Sequence, residues 1–308
     1  MAEAETVRPA NHLNEGGRCT WSFQVRHYEL NPAGVARPEV YLNWLQEAGL
    51  VASAHAGYPI ERYEAMGRFW WVRRLRVEWY GSALYREPLE ATTWISDFRR
   101  VQCHREYQIR RGEDGELICS AQGNWAFVDI EAGQPVRIPD ELIQAFSPDG
   151  VYAIASRPWP WDAGVQGGRE FTTRRKVQYH ELDTMGHVNH AFYLVWLLES
   201  VHDCLDAGRL LGGGLTVVPQ RFDIEYLHAA GEGDRLLVSS RPTKLVGGQG
   251  MWTHRVVLDA PEQTLVARAH SVCAFSGAEG PVWLQELSEP GRSTSGSGAA
   301  RFDGKSAG

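Results

Sequence analysis

The chain is poor in cysteine and pairs none of it. Five cysteines in 308 residues (Cys19, Cys103, Cys119, Cys204 and Cys273) are scattered with no C-x-x-C spacing. That excludes a zinc framework and a disulfide scaffold, and fits a reducing cytoplasm. A basic excess is also missing. Asp and Glu number 38 against 31 Lys and Arg, a formal charge of −7, whereas nucleic-acid binders usually carry a basic surplus. No apolar run approaches the ~18 residues of a membrane-spanning helix. The opening "MAEAETVRPANHLNEGG" has no apolar core of the kind an export signal carries. What remains is ordinary for a soluble protein, 43% apolar and 22% charged. The length suits two domains or one large one.

What the chain does have is a repetition. "ELNPAGVARP" from Glu29 and "ELDTMGHVNH" from Glu181 both open Glu-Leu and both place Gly five residues after the Glu. A shift of 152 lays Val25 on Val177, Gly34 on Gly186, Tyr41 on Tyr193, Trp44 on Trp196 and Glu47 on Glu199. A shift of 147 lays Arg74 on Arg221 and Glu78 on Glu225, and one of 150 lays His104 on His254. Shifts that differ by a few residues mean loop changes between two copies of one unit. A period this long is no solenoid. The expected division is a flexible stretch 1–17, a unit over 18–147, a linker over 148–170, a second unit over 171–285 and a disordered Gly/Ser-rich tail over 286–308.

Each copy reads alike: a short strand, a Gly-containing loop, one long helix, then strands. The helices fall at 37–57 and 190–208. Pro38 suits a first turn, and apolar residues at 41, 44, 45 and 48 form one stripe. The remainder is strand-like, so the class is α+β.

A strand leading to Asp183, then Gly186-His187-Val188-Asn189, then a Tyr193-x-x-Trp196 helix resembles the hotdog-fold thioesterases. Two such units, with "FWWVRRLRVEWY" and "ATTWIS" in the first, resemble the acyl-ACP thioesterases of plastids and bacteria. The resemblance implies two tandem hotdog domains forming an intramolecular pseudo-dimer, each a long helix wrapped by antiparallel sheet. The sheets would join edge to edge, with thioester hydrolysis in a cleft between the units and no cofactor or metal.

Hydrolysis needs a base or nucleophile, oxyanion stabilisation and an acyl channel. Asp183 is the candidate for the first, by attacking the carbonyl or by activating water; such a loop Asp also caps turns. His187 is placed to orient water, polarise the carbonyl or meet a pantetheine arm. Asn189 holds Asp183, donates to the oxyanion or caps the helix. Backbone N–H groups from Met185 through Gly186 to Val188 are the expected oxyanion donors. The first copy replaces the three polar candidates with Asn31, Val35 and Arg37, so the resemblance makes it the acyl pocket. Trp70, Trp71, Trp79, Trp94 and Trp125 cluster in its strands, most expected in the core and one or two, Trp70 and Trp71 foremost, lining the tunnel.

Glu199, Glu225 and His254 recur in the silent copy as Glu47, Glu78 and His104, which favours structural roles. The chain departs from the plant pattern at Met185, where an Asn is expected, and at Ala229 and Ala230, where Glu and Cys are expected. A cysteine mechanism is therefore unsupported. The partner is acyl carrier protein or a coenzyme A thioester, met by arginines among Arg73, Arg74, Arg76, Arg99, Arg100, Arg174 and Arg175 with Lys176. The expected setting is fatty acid biosynthesis in the cytoplasm, as a monomer or homodimer, with no nucleic acid or membrane partner. The rival readings are a non-catalytic acyl-thioester binder and a hotdog hydratase or dehydratase.

Overall fold

The computed structural model describes residues 12–14, 17–155, 170–207, 216–246 and 249–276. The tail and most of the expected linker lie outside these. The elements are β1 (His12–Asn14), β2 (Arg18–Gln24), α1 (Pro38–His55), α2 (Ile60–Ala65), β3 (Arg68–Trp79), β4 (Pro88–Arg99), β5 (Gln102–Arg111), β6 (Leu117–Asp129), β7 (Gln134–Pro135), α3 (Asp140–Phe146), β8 (Phe171–Lys176), α4 (His190–Ala207), β9 (Thr216–Tyr226), β10 (Arg235–Val246), β11 (Gln249–Leu258) and β12 (Leu265–Ser276). The two short helices α2 and α3 fall where the sequence reads as strand or loop.

The long helices form for the expected reasons. Pro38 sits in the first turn of α1, where its missing N–H has no partner to lose. Tyr41, Trp44, Leu45 and Ala48 turn one buried face to the sheet. In α4 the same face carries Tyr193, Leu194, Trp196, Leu197 and Val201. One apolar core runs through both helices and the strands that wrap them.

The repeated Glu and Trp are a brace. Glu29 Oε1 accepts the Trp44 indole N–H at 3.1 Å, and Glu29 Oε2 accepts the Arg26 backbone N–H at 2.6 Å. In the second copy Glu181 does the same for Trp196 at 3.0 Å and Gln178 at 2.8 Å. Both carboxylates are buried. A buried carboxylate needs such donors, so each loop is tied to its helix by the pair that the repeat preserves.

The strands form one 12-stranded sheet, in the order β1-β2-β4-β5-β6-β3-β9-β12-β11-β10-β8, with β7 beside β6. The seam between copies is β3 against antiparallel β9, pairing Leu75 with Ile224, Arg76 with Asp223 and Val77 with Phe222. The shift of 147 carries position 76 onto 223, so the pseudo-two-fold axis passes through that pair. Arg74 grips the buried Asp223 with two bonds of 2.7 Å, and Arg221 faces Glu78 at 3.4 Å.

Arg74 and Arg76 are thus seam residues rather than docking cations. Arg175 is likewise engaged, with Glu181 and Glu199 and over the Trp196 ring. Arg174 faces Asp259 at 3.3 Å and Arg99 faces Asp97 at 3.8 Å. Arg73, Arg100 and Lys176 are exposed, with no ion pair among the described residues.

Candidate active site

The loop 183–189 enters α4. Asp183 Oδ1 accepts the backbone N–H of Met185 at 2.8 Å and of His187 at 3.3 Å. Gly186 donates its N–H to the Asp183 carbonyl, and Val188 donates to the Ala230 carbonyl. All four N–H groups from Met185 to Val188 are therefore engaged within the protein. This corrects the expectation that they form the oxyanion hole: the tight turn that brings Asp183 to the helix uses those donors itself. Gly186 has φ of +76° with nothing within 4 Å of its missing Cβ, and it does not line the cavity beside the loop. Its role is conformational, not substrate contact.

The silent copy shows what the turn alone requires. Asn31 Oδ1 accepts from Ala33 at 2.9 Å and from Val35 at 3.2 Å. The two loops differ in the other side-chain atom. In Asp183 this is Oδ2, a carboxylate oxygen with no partner among the described residues.

Asn189 precedes α4 as its N-cap, with Oδ1 accepting from Ala191 N at 3.0 Å. Its Nδ2 donates to Gln46 Oε1 on α1, also at 3.0 Å. His187 sets its ring edge-on to Trp71, centroids 5.8 Å apart. One site is thus assembled from both copies. His190 touches the rings of Trp125 and Tyr226, and burial lowers its pKa to about 4, so it is neutral at physiological pH.

These residues close one end of a cavity of about 350 Å³. Asp183, Met185, His187, Val188, Asn189 and Ala229 supply that end. The first copy supplies most of the remaining wall: Leu50, Phe69, Trp70, Trp71, Ile95 and Trp125 among others. Three of the five singled-out tryptophans line it; Trp79 and Trp94 do not, and Trp94 is buried with its indole donating to the Val151 carbonyl. Cys103 also lines it, but burial pushes its thiol up to about 12, so it is no thiolate. The exposed Arg73 stands at the wall on a bulge between Val72 and Arg74.

The residues demoted by repetition lie elsewhere. Glu199 is exposed beside Arg175, Glu225 pairs with Arg268, and His254 is buried between Ser240 and Ser271. Sequence reasoning missed Gln46. Its signal was available: the shift of 152 lays Gln46 on Leu198, so the polar group occurs in one copy.

A long helix wrapped by antiparallel sheet, twice over, with a composite cleft between the copies, defines a tandem hotdog protein. Two family models match the chain: the acyl-ACP thioesterase N-terminal domain over residues 17–146 and the acyl-ACP thioesterase C-terminal domain over 166–248. The chain belongs to the acyl-ACP thioesterase family. A chloroplastic acyl-[acyl-carrier-protein] hydrolase of Cuphea viscosissima is 27% identical over 201 residues, covering 61% of this chain and 48% of its own. The chain spans about half the length of the curated relatives it matches. The crystal structure of an acyl-ACP thioesterase from Bacteroides thetaiotaomicron superposes with a TM-score of 0.68 at 19% identity, over 84% of this chain and 98% of that one. The 12:0-ACP thioesterase from Umbellularia californica gives 0.67 at 19% identity, over 85% and 95%. At such identity the likeness is one of fold. Among the described residues no helix is long and apolar enough to cross a membrane.

Proposed function

We propose that this chain hydrolyses acyl thioesters to a free acid and a carrier thiol, with acyl-ACP as the principal substrate and acyl-CoA as the alternative. The observation that carries the reading is the composite cleft. An apolar cavity, walled mainly by residues 18–147, is also lined by Asp183 of residues 171–285, whose Oδ2 has no partner among the described residues. The acyl chain lies along the tryptophan-rich wall, and the thioester carbonyl reaches the Asp183 loop.

Asp183 Oδ2 takes a proton from a water as the water oxygen bonds to the carbonyl carbon, and the carbonyl electron pair moves onto oxygen. Collapse of that oxyanion restores C=O and breaks the C–S bond. As the C–S bond breaks, the proton held on Asp183 passes to the departing sulfur, which leaves as the thiol and returns Asp183 to its carboxylate. His187, braced by Trp71, borders the attacking water. Asn189 fixes the entry of α4, whose N-terminal dipole favours developing negative charge. Arg73, at the cavity wall and with no ion pair among the described residues, is the cation of the expected set best placed to meet an acidic carrier or a phosphate. The five free, buried cysteines suit a reducing compartment such as the cytoplasm.

The test is thiol release from acyl-ACP and acyl-CoA panels, wild type beside Asp183→Asn. Asn31 shows that an amide oxygen holds this turn, so the variant should melt with the wild type while release falls ~10²-fold or more. If both proteins bind acyl thioesters and neither releases thiol, the chain is a binder. Equal release by both would remove Asp183 from the mechanism.

A further inference from the structure

With the loop N–H groups engaged, an oxyanion in this cleft needs another donor. We propose that Gln46, contributed by the silent copy, is that donor. The inference rests on the thioester-hydrolysis reading above.

The hydrogen-bond chain fixes which atom of Gln46 is committed and which is left over. The Ala191 backbone N–H can only donate, so the Asn189 atom it meets is Oδ1. That leaves Nδ2 of Asn189 as the donor to Gln46, and Gln46 answers with Oε1. Its Nε2 then carries two N–H bonds and no partner among the described residues. Gln46 lines the cavity at the end formed by Asp183, His187 and Asn189. An amide held by its oxygen and free at its nitrogen is a preorganised donor.

The opposite cleft lacks this arrangement at both positions. The shift of 152 places Leu198 where Gln46 stands and Arg37 where Asn189 stands. Arg37 turns back to the carbonyls of Tyr28 and Leu30 and to Glu39. The polar amide on the helix thus occurs where the carboxylate occurs, although the two belong to different copies.

During hydrolysis the carbonyl oxygen gains the electron pair of the C=O π bond as water adds. Gln46 Nε2–H donates to that oxygen and keeps its proton throughout. Collapse returns the pair to C=O as the C–S bond breaks. Removing one such donor elsewhere lowers kcat by about 10²–10³-fold.

Two variants separate donating from holding. Gln46→Glu keeps an oxygen for Asn189 but has no N–H to give. Gln46→Leu removes both, and Leu198 shows that this helix position accepts Leu. We expect both to lose ~10²-fold or more in kcat, with KM and melting temperature near wild type. In the Asp183→Asn background, the infrared C=O stretch of a bound acyl-CoA should sit at lower frequency with Gln46 than with either Gln46 variant. A Gln46→Glu enzyme within a few-fold of wild type would reduce Gln46 to a support for Asn189 and overturn the proposal. So would an unchanged C=O stretch. A wild type that releases no thiol from any substrate overturns the hydrolase reading and this one with it, whereas active wild type with active variants overturns this one alone.

Discussion

Asn31 and Asp183 hold their loops with the same atom. In each, Oδ1 accepts the N–H groups two and four residues on, at 2.9 and 3.2 Å in the first copy and 2.8 and 3.3 Å in the second. Shape and reactivity are therefore separable at this position. Asn31→Asp should fold normally and add no second activity, because Val35 and Leu198 stand where His187 and Gln46 stand in the other cleft. Combined with Asp183→Asn it should leave thiol release at the Asp183→Asn level. Recovery of activity in that double variant would mean that the first cleft retains working machinery.

Gly49 is part of the cavity wall. It lies on α1, one turn beyond Gln46, and a Cβ built there would stand 3.4 Å from Tyr107 Oη and 3.7 Å from Arg105 Cδ. Those are ordinary contacts, so Ala fits. Gly49→Ala should raise stability by roughly 0.5–1 kcal/mol through helix propensity, read from denaturant midpoints. It should also lower turnover of the longest acyl chains relative to the shortest. An unchanged chain-length profile would place the acyl group off this wall.

Stability should fall with acid through two buried histidines. Burial lowers the pKa of His254 from its ordinary 6.5 to about 3, with His270 adding to the effect. Burial, then the charges of Arg268 and Arg74, lowers His270 to about 4. The folded state resists protons that the unfolded chain accepts. The associated stability is fully present above about pH 6.5 and is lost as pH drops towards 4, at up to ~1.4 kcal/mol per pH unit for each histidine. Denaturant titrations near pH 7 and near pH 5 would read this, and His254→Asn should flatten the slope. A midpoint indifferent to pH in that window would contradict the burial described here.

Much of this was legible because duplication prints structural residues twice. Glu29 with Trp44 and Glu181 with Trp196 keep one spacing because one brace needs both partners, and the helices fall within two residues of their expected ends. Asp183 and His187 stood out by the opposite logic, as polar groups present in one copy. Donor satisfaction was not legible. Whether the Val188 N–H is free depends on the Ala230 carbonyl, which arrives from a distant strand end. Arg74 and Arg76 misled for a related reason, since a solvated cation and a seam ion pair have one spelling. The short helices α2 and α3 owe their form to packing around Tyr63, Leu142 and Phe146, a small cluster apart from the main core.

The pairing of Arg76 with Asp223 on the pseudo-two-fold axis has an evolutionary reach. On the axis of a true homodimer each residue meets its own twin. Two first units joined this way would set Arg76 against Arg76, and two second units would set one buried Asp223 against another, both unfavourable. Either half paired with its own copy would lose the Arg76–Asp223 contact. The seam is a heterotypic match, with an ion pair at its centre that unlike halves form and like halves lack.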